Sequence, residues 1–533
     1  MKRKEFLLLG SLGSLAACGS RNIFRSGDTY TLRQNDPARK YGHMLRDGMP
    51  EQVNTPQQKE CDILIIGAGI SGLSAAYMLK QQGLQNFVII ELEKQAGGNS
   101  AYATNEVSAY PLGAHYLPLP NQNDTTLTAF LEKSGIISAY NNEGLPIYNE
   151  AYLCHEPEER LFIRNQWQDG LVPDYGISET DRAELKRFFV RMEYFKQARG
   201  SDGKEAFAIP VAFSSRDEAW LALDDISFAE WLQRENFHSE ALLWYIDYCV
   251  KDDYGTEAAQ LSAWNGIHYF ACRKGNAANA TAADVLTWPE GNGFLMEKLR
   301  GEVAEHILLN HMACMVTPDG TRKKVTVLNT QTKQHSVYKC RELVMAIPLF
   351  IANRILNKND YPEPLPLMPY GSWLLANITL SSQPGGRGVP LSWDNVLYGS
   401  RGLGYVNACH QQLQVLHGKI VITYYHALTG TDPAELRKKA EHFDAEEWTR
   451  LVMDDLKTAH PDIESLTEHI ELRLLGHAMP KPVPGTMRRV LTGDSRLPAG
   501  IYFCHSERSG YSVFEEAFYQ GSACAREIIK NFA

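Results

Sequence analysis

Apolar residues along this chain change their spacing several times, and each change marks an element. Residues 62–66 form a short, nearly unbroken apolar run, as in a strand buried on both faces of a parallel sheet. Residues 73–82 read as a helix, with Ala75 and Ala76 small enough for close packing, and residues 87–90 as a second buried strand. Across 185–195 and 228–250 apolar positions recur every three or four residues. That spacing predicts a largely helical stretch over 125–287, with Trp231, Trp244, Tyr245 and Tyr248 in its core. Residues 307–309, 314–316, 324–329 and 336–339 alternate like a small antiparallel meander and lead into the apolar run 342–348. Residues 370–380 and 415–425 predict strands of a second sheet, and 433–457 an amphipathic helix. Prolines and glycines around His477 predict a stiff loop over 476–485. A short strand at 500–503 and a helix running to 532 complete the chain.

Between the first strand and the first helix stands a glycine motif. Gly67, Gly69 and Gly72 make G-x-G-x-x-G, with Ile70 and Ser71 between the last two. The first glycine permits the tight turn, the second lets backbone approach a pyrophosphate, and the third lets helix pack on strand. The helix after the motif presents free N–H groups and its positive dipole end to phosphate oxygens. Glu91 closes the second strand, 22 residues after Gly69, where an acid accepts hydrogen bonds from an adenosine ribose. Strand, turn, helix and acid agree on dinucleotide binding.

Composition sets limits. With 53 Lys and Arg against 63 Asp and Glu the net charge is −10, and no dense basic patch interrupts it, so nucleic acid is excluded as an expected partner. No internal stretch reaches the roughly 18–20 apolar residues that span a bilayer. The N-terminus has its own character. Lys2, Arg3 and Lys4 precede a short apolar stretch at 6–17, and Leu15-Ala16-Ala17-Cys18 is similar to a bacterial lipobox. A lipoprotein-type signal peptide is expected over 1–18, removed so that a lipidated Cys18 anchors the protein to the membrane. Arg3-Lys4 approaches the twin-arginine pattern, and export already folded suits a protein built around a cofactor. The expected location is the bacterial cell envelope, facing the periplasm, with Gly19 leaning toward the outer membrane. Residues 19–59 are polar and predict a tether. Nine further cysteines include no C-x-x-C and cannot all pair, so no metal site is expected.

Beyond the second strand come Gly97-Gly98-Asn99-Ser100 and Pro111-Leu112-Gly113-Ala114-His115-Tyr116; residues 288–294 (WPEGNGF) open a helix, and 342–348 read ELVMAIP. The last segment contains Tyr502-Phe503-Cys504-His505-Ser506-Glu507 and then residues 514–521, FEEAFYQG. Together these segments resemble the flavin-dependent amine oxidase superfamily, which also holds phytoene desaturases and protoporphyrinogen oxidases. The resemblance covers most of 60–533, most closely at the two ends. It implies an α/β fold: a Rossmann-like FAD-binding domain of the glutathione-reductase and amine-oxidase type, with an inserted α+β substrate domain. The FAD domain is expected from 60–124, 286–360 and 495–533, and the substrate domain from 125–285 and 361–494.

The resemblance also implies site residues. FAD, held non-covalently, would contact Gly67, Gly69, Ile70, Ser71, Gly72 and Glu91, and the second turn Gly97, Gly98, Asn99 and Ser100, where Asn99-Ser100 stand in place of the family's arginine. His115 either faces the flavin or stabilises its own turn. Val316 matches the backbone position that pairs with adenine, and Glu507 the acid that bonds the ribityl chain. Ser512, Val513 and Phe514 open a helix whose amides would point at the flavin edge where negative charge develops on reduction. Glu515 completes an S-x-x-E capping box with Ser512, a bland role favoured over a catalytic one. His477, His505 and Tyr511 are the candidate catalytic residues. The family's paired aromatic cage is not evident near 477–479 and 513, and Asn377 stands where a lysine would be sought.

The resemblance implies hydride transfer from a small substrate, an amine among the candidates, to the flavin, with oxygen or a quinone as acceptor. A desaturase or isomerase acting on a lipid or polyene, and a non-catalytic FAD module, are the alternatives.

Overall fold

The computed structural model describes residues 29–32, 37–48, 56–412, 418–430, 432–440, 442, 444–493, 498 and 500–532. The signal peptide and Cys18 lie outside them.

Two sheets organise these residues. In the first, Ile307–Leu308, Phe87–Ile90, Gln57–Ile66, His335–Met345, Arg322–Asn329 and His311–Asp319 are neighbours in that order. The strand His335–Met345 serves twice. Its first half pairs antiparallel with Arg322–Asn329, while Leu343–Met345 pairs in parallel with Ile501–Phe503. It also lies parallel to Gln57–Ile66, which in turn pairs with Phe87–Ile90. Leu64 and Ile65 are fully buried, as the unbroken apolar run requires. The helix Ile70–Gln81 covers one face, and the helix Phe514–Lys530 crosses it so closely that a Cβ on Gly521 would lie 2.0 Å from the Ser71 carbonyl oxygen. The last helix of the chain thus packs on the first helix of the nucleotide unit.

The second sheet runs Thr29–Leu32, Thr467–Pro480, Tyr370–Leu380, Ile420–Leu428, Tyr405–Asn407, Asp394–Leu397, Glu159–Ile163, Gln166–Asp169. A helical layer, including Glu179–Gln197, Glu240–Tyr254 and Ala263–Ala271, packs around Phe188, Phe207, Trp231 and Trp264.

Several expectations need correction. The helix expected over 228–250 is two, Phe228–Arg234 and Glu240–Tyr254, because the Ser239 hydroxyl accepts the Leu242 N–H and starts a new helix. Residues 476–480 extend the strand Thr467–Pro480 by pairing with Tyr370 and Gly371; the stiff loop is confined to 481–485, where Pro482 and Pro484 lie. The tether, too, is structured in its described parts. Thr29–Leu32 pairs in parallel with residues 469–472, and Pro37–Asp47 is a helix whose Tyr41 is buried. No helix among the described residues is long and apolar enough to cross a membrane.

Candidate active site

One cavity of about 1350 Å³ lies where the two sheets and the helical layer meet. That exceeds the roughly 300–1,000 Å³ usual for a single small ligand and leaves room for an extended dinucleotide with a substrate beside it. Gly67, Gly69, Ile70, Ser71 and Glu91 line it. Gly67 has φ +101°, and a Cβ there would meet the Ala346 carbonyl oxygen at 2.6 Å, so only glycine makes this turn. A Cβ on Gly69 would meet no protein atom within 4 Å. The helix after it has no side-chain cap, so its first N–H groups are left for an anion. Gly72 acts at one remove: a Cβ there would sit 2.0 Å from the Gly67 oxygen, so it seats the helix and does not line the cavity. Glu91 accepts the Ala68 and Glu93 N–H groups at 2.8 Å, one on each oxygen. A carboxylate has about four acceptor positions, enough to serve a ribose as well.

Gly97, Gly98, Asn99 and Ser100 also line the cavity. The Asn99 amide donates to the Ala478 carbonyl at 2.7 Å, so the residue in the arginine position ties the turn to the second sheet. His115 lines the cavity among aromatic rings, 4.5 Å from Tyr425, 5.0 Å from Tyr116 and 5.7 Å from Trp393. Burial pulls it down to about 4, so it is a neutral ring at physiological pH.

The C-terminal segment supplies another wall through His505, Ser506, Ser512, Val513, Phe514 and Glu515. Burial also lowers His505 to about 4, and its Nδ1 accepts the Glu507 N–H at 3.2 Å. His477 opens onto the cavity with its ring 4.6 Å from that of Phe350. The residue is more than a third exposed, and partial burial in the cavity wall, then the nearby Arg437, Arg354 and His43 charges, hold it below the ordinary imidazole value.

Besides Gly72, three expected site residues lie off the cavity wall. Tyr511 is 1% exposed and turns into the helical core, 5.3 Å from Tyr254 and 5.4 Å from His268. Glu507 is carried away from the cavity by the turn Ser506–Ser509, and accepts the Leu349 N–H and the Tyr370 hydroxyl, both at 2.8 Å. Ser506 stands at the wall in its place. Val316 is fully buried with its carbonyl accepting the Asn357 N–H at 3.1 Å; the pairing slips between Ala313 and Met315, so Met312 and Ala313 reach the cavity instead. The capping box fails as well. Val513 is the N-cap and no side chain caps the helix Phe514–Lys530, which leaves its amides free for the flavin edge.

Glu515 is instead drawn toward a group the sequence did not single out. Asp252, Asp253, Arg273, Tyr116, Trp373 and Tyr425 all line the cavity. Arg273 pairs with Asp253 at 2.9 Å, and the Tyr116 hydroxyl donates to Asp252 at 3.4 Å. Burial pushes Glu515 up to about 7 against the opposing Arg273 charge, and raises Asp252 with help from the Asp253 charge. Three carboxyl groups face one guanidinium among aromatic walls, and those that burial holds toward the protonated form can ionise when a cation enters. One signal was available: Asp252 and Asp253 sit in the last turn of a helix, at its negative pole, where acids are disfavoured.

The profile of the flavin-containing amine oxidoreductases matches residues 70–529. The chain belongs to that family. Its similarity to amine oxidase [flavin-containing] B of Sus scrofa is 24% identity over 319 residues, 58% of this chain and 54% of the relative. The chain thus spans about half the length of the curated relatives it matches. Wild-type putrescine oxidase bound to putrescine superposes with a TM-score of 0.61 at 17% identity, over 89% of this chain and all of that one. A CLA-producing fatty acid isomerase from P. acnes gives 0.56 at 14%, over 89% and 98%. These likenesses establish the shared fold, a Rossmann-like FAD domain with an inserted substrate domain. The family's cofactor fits the residues present: an uncapped glycine turn, an acid beside it, and a second uncapped helix. No cysteine among the described residues lines the cavity, and Cys504 is fully buried. Among the described residues no group of His, Cys, Asp and Glu is placed to hold a metal ion.

Proposed function

We propose that the protein oxidises a small cationic amine. The observation that carries this reading is the carboxylate excess of Asp252, Asp253 and Glu515 on an aromatic cavity wall. An ammonium ion balances buried carboxylates and is attracted to ring faces such as those of Tyr116, Trp373 and Tyr425. A polyene balances nothing, and would leave those acids desolvated at a cost. The putrescine-bound relative supports the same substrate class. FAD, when bound, supplies the redox chemistry by accepting a hydride equivalent. The chain supplies the rest. Aromatic walls exclude water and orient the substrate, neutral His115, His477 and His505 add no positive charge to repel it, and the carboxylates hold the cation and accept its proton. Oxygen or a quinone is the proposed acceptor.

Anaerobic mixing with a panel of amines and polyenes tests this reading: amines should bleach the bound flavin and polyenes should leave it oxidised. Bleaching by a lipid or polyene alone would support the desaturase or isomerase reading. A flavin bleached only by dithionite would support a non-catalytic module.

We further propose an exported, lipid-anchored protein. The basic start, apolar stretch and Cys18 support it, and Cys18→Ala should abolish radiolabelled palmitate incorporation.

A further inference from the structure

The family profile begins at residue 70, yet the cavity does not. Gly42, His43, Leu45 and Arg46 of the helix Pro37–Asp47 line it. The helix is fastened in place. Tyr41 is 5% exposed among Met312, Cys314 and Leu328, and its hydroxyl donates to the Thr330 carbonyl at 3.0 Å. Met44, Leu45 and Leu92 pack on the same cluster. Its location is informative: Leu92 adjoins Glu91, the ribose acid, and Met312 and Ala313 are the cavity residues of the adenine-side strand. The apolar face of the helix therefore continues the adenosine wall. Upstream, Thr29–Leu32 is hydrogen-bonded along the edge of the second sheet, so the segment is anchored on both lobes that enclose the cavity.

We propose that Pro37–Asp47 is part of the nucleotide site, a clasp over the adenosine half of FAD that slows its release. The glycine turn holds the nucleotide from one side, and this helix adds a second wall. Gly42 gives a direct probe, because a Cβ there would meet no protein atom within 4 Å while its residue borders the cavity. A side chain at 42 would therefore start in open space beside the cavity and not against protein.

The full-length holoprotein is mixed with an excess of an FAD-scavenging apoprotein and the loss of bound flavin is timed. Leu45→Ser and Gly42→Phe should each speed FAD release by about tenfold or more, as expected for a contact worth one decade in affinity. Release within about twofold of wild type in both variants would overturn the proposal. A second measurement needs no substitution. Trypsin can reach the exposed Lys40 and Arg46 of the unaltered chain. In the flavin-free protein ADP should protect these sites as well as FAD does, and riboflavin should not. Equal cleavage with and without ADP would show that the helix does not cover the adenosine half.

Discussion

At single residues, Gly69 and the buried carboxyl groups of the cavity wall make the sharpest predictions. Gly69 has an extended backbone, φ −74° and ψ −179°, that any residue adopts, and nothing stands within 4 Å of its absent Cβ. Gly69→Val should therefore fold and yet place its methyls where the diphosphate lies. We expect FAD affinity to fall roughly 100-fold, or about 3 kcal/mol, as measured by fluorescence quenching on titration of the flavin-free protein. Glu515 makes a prediction in pH. Burial raises it from 4.5 to about 7, so between those values the folded chain keeps a proton that the unfolded chain has released. Stability should fall as pH climbs through that window and level off above about 7, and Glu515→Gln should flatten the slope in chemical denaturation series. For a cationic amine the sign is opposite, since the ionised carboxylates hold it: KM should fall as pH rises through about 7, and Asp252→Asn should raise KM above that pH while leaving it near the wild-type value below, where Asp252 is itself protonated. These residues also mark the limit of what was legible in sequence. The glycines and Glu91 were readable because one short segment holds them all. Asp252, Arg273, Trp373 and Tyr425 meet only through folding, and nothing along the chain associates them. Tyr511 misled for a complementary reason: it adjoins the wall residue Ser512 in sequence, but its side chain leaves on the opposite side.

Two helix termini and one helix crossing decide whether those residues meet. The nucleotide helix and the C-terminal helix both lack a side-chain N-cap at the cavity, so each presents first-turn amides toward a ligand there. They are held at the required spacing by Gly521, where a Cβ would lie 2.0 Å from the Ser71 oxygen and 2.2 Å from the Ser74 hydroxyl. Backbone cannot yield as a side-chain tip can. Gly521→Val should cost at least the 1–3 kcal/mol, roughly, of an overpacked core, and should lose flavin as well because it displaces Ser71. Thermal unfolding and the flavin-to-protein absorbance ratio check both. Element type was readable wherever apolar spacing was strong, as in Gln57–Ile66 and Phe514–Lys530. Register was not. The slip between Ala313 and Met315 moved the cavity contact off Val316, and a bulge leaves no trace in a period-two pattern. The helix Pro37–Asp47 was hidden by its polar composition, since its burial rests on little more than Tyr41 and its neighbours.

Across the whole molecule, the cavity is where the FAD sheet, the substrate sheet and the helical layer come together, so the cofactor is itself part of what joins them. A ligand that binds only the folded chain stabilises it by mass action, about 4 kcal/mol at a free concentration of 1,000 Kd. Flavin-free protein should accordingly melt lower, and its midpoint should climb with each addition of FAD, monitored by far-UV circular dichroism. An unchanged midpoint would mean that the lobes hold together without it. The strand Ile501–Phe503 adds one more consequence. It pairs beside Leu343–Met345, next to the strand that opens the nucleotide unit, and the helix after it closes over the glycine turn. Synthesis delivers the turn long before the helix that covers it. A chain cut anywhere between residues 98 and 501 would own every glycine of the two turns and still lack the strand and helix that complete the pocket for a flavin.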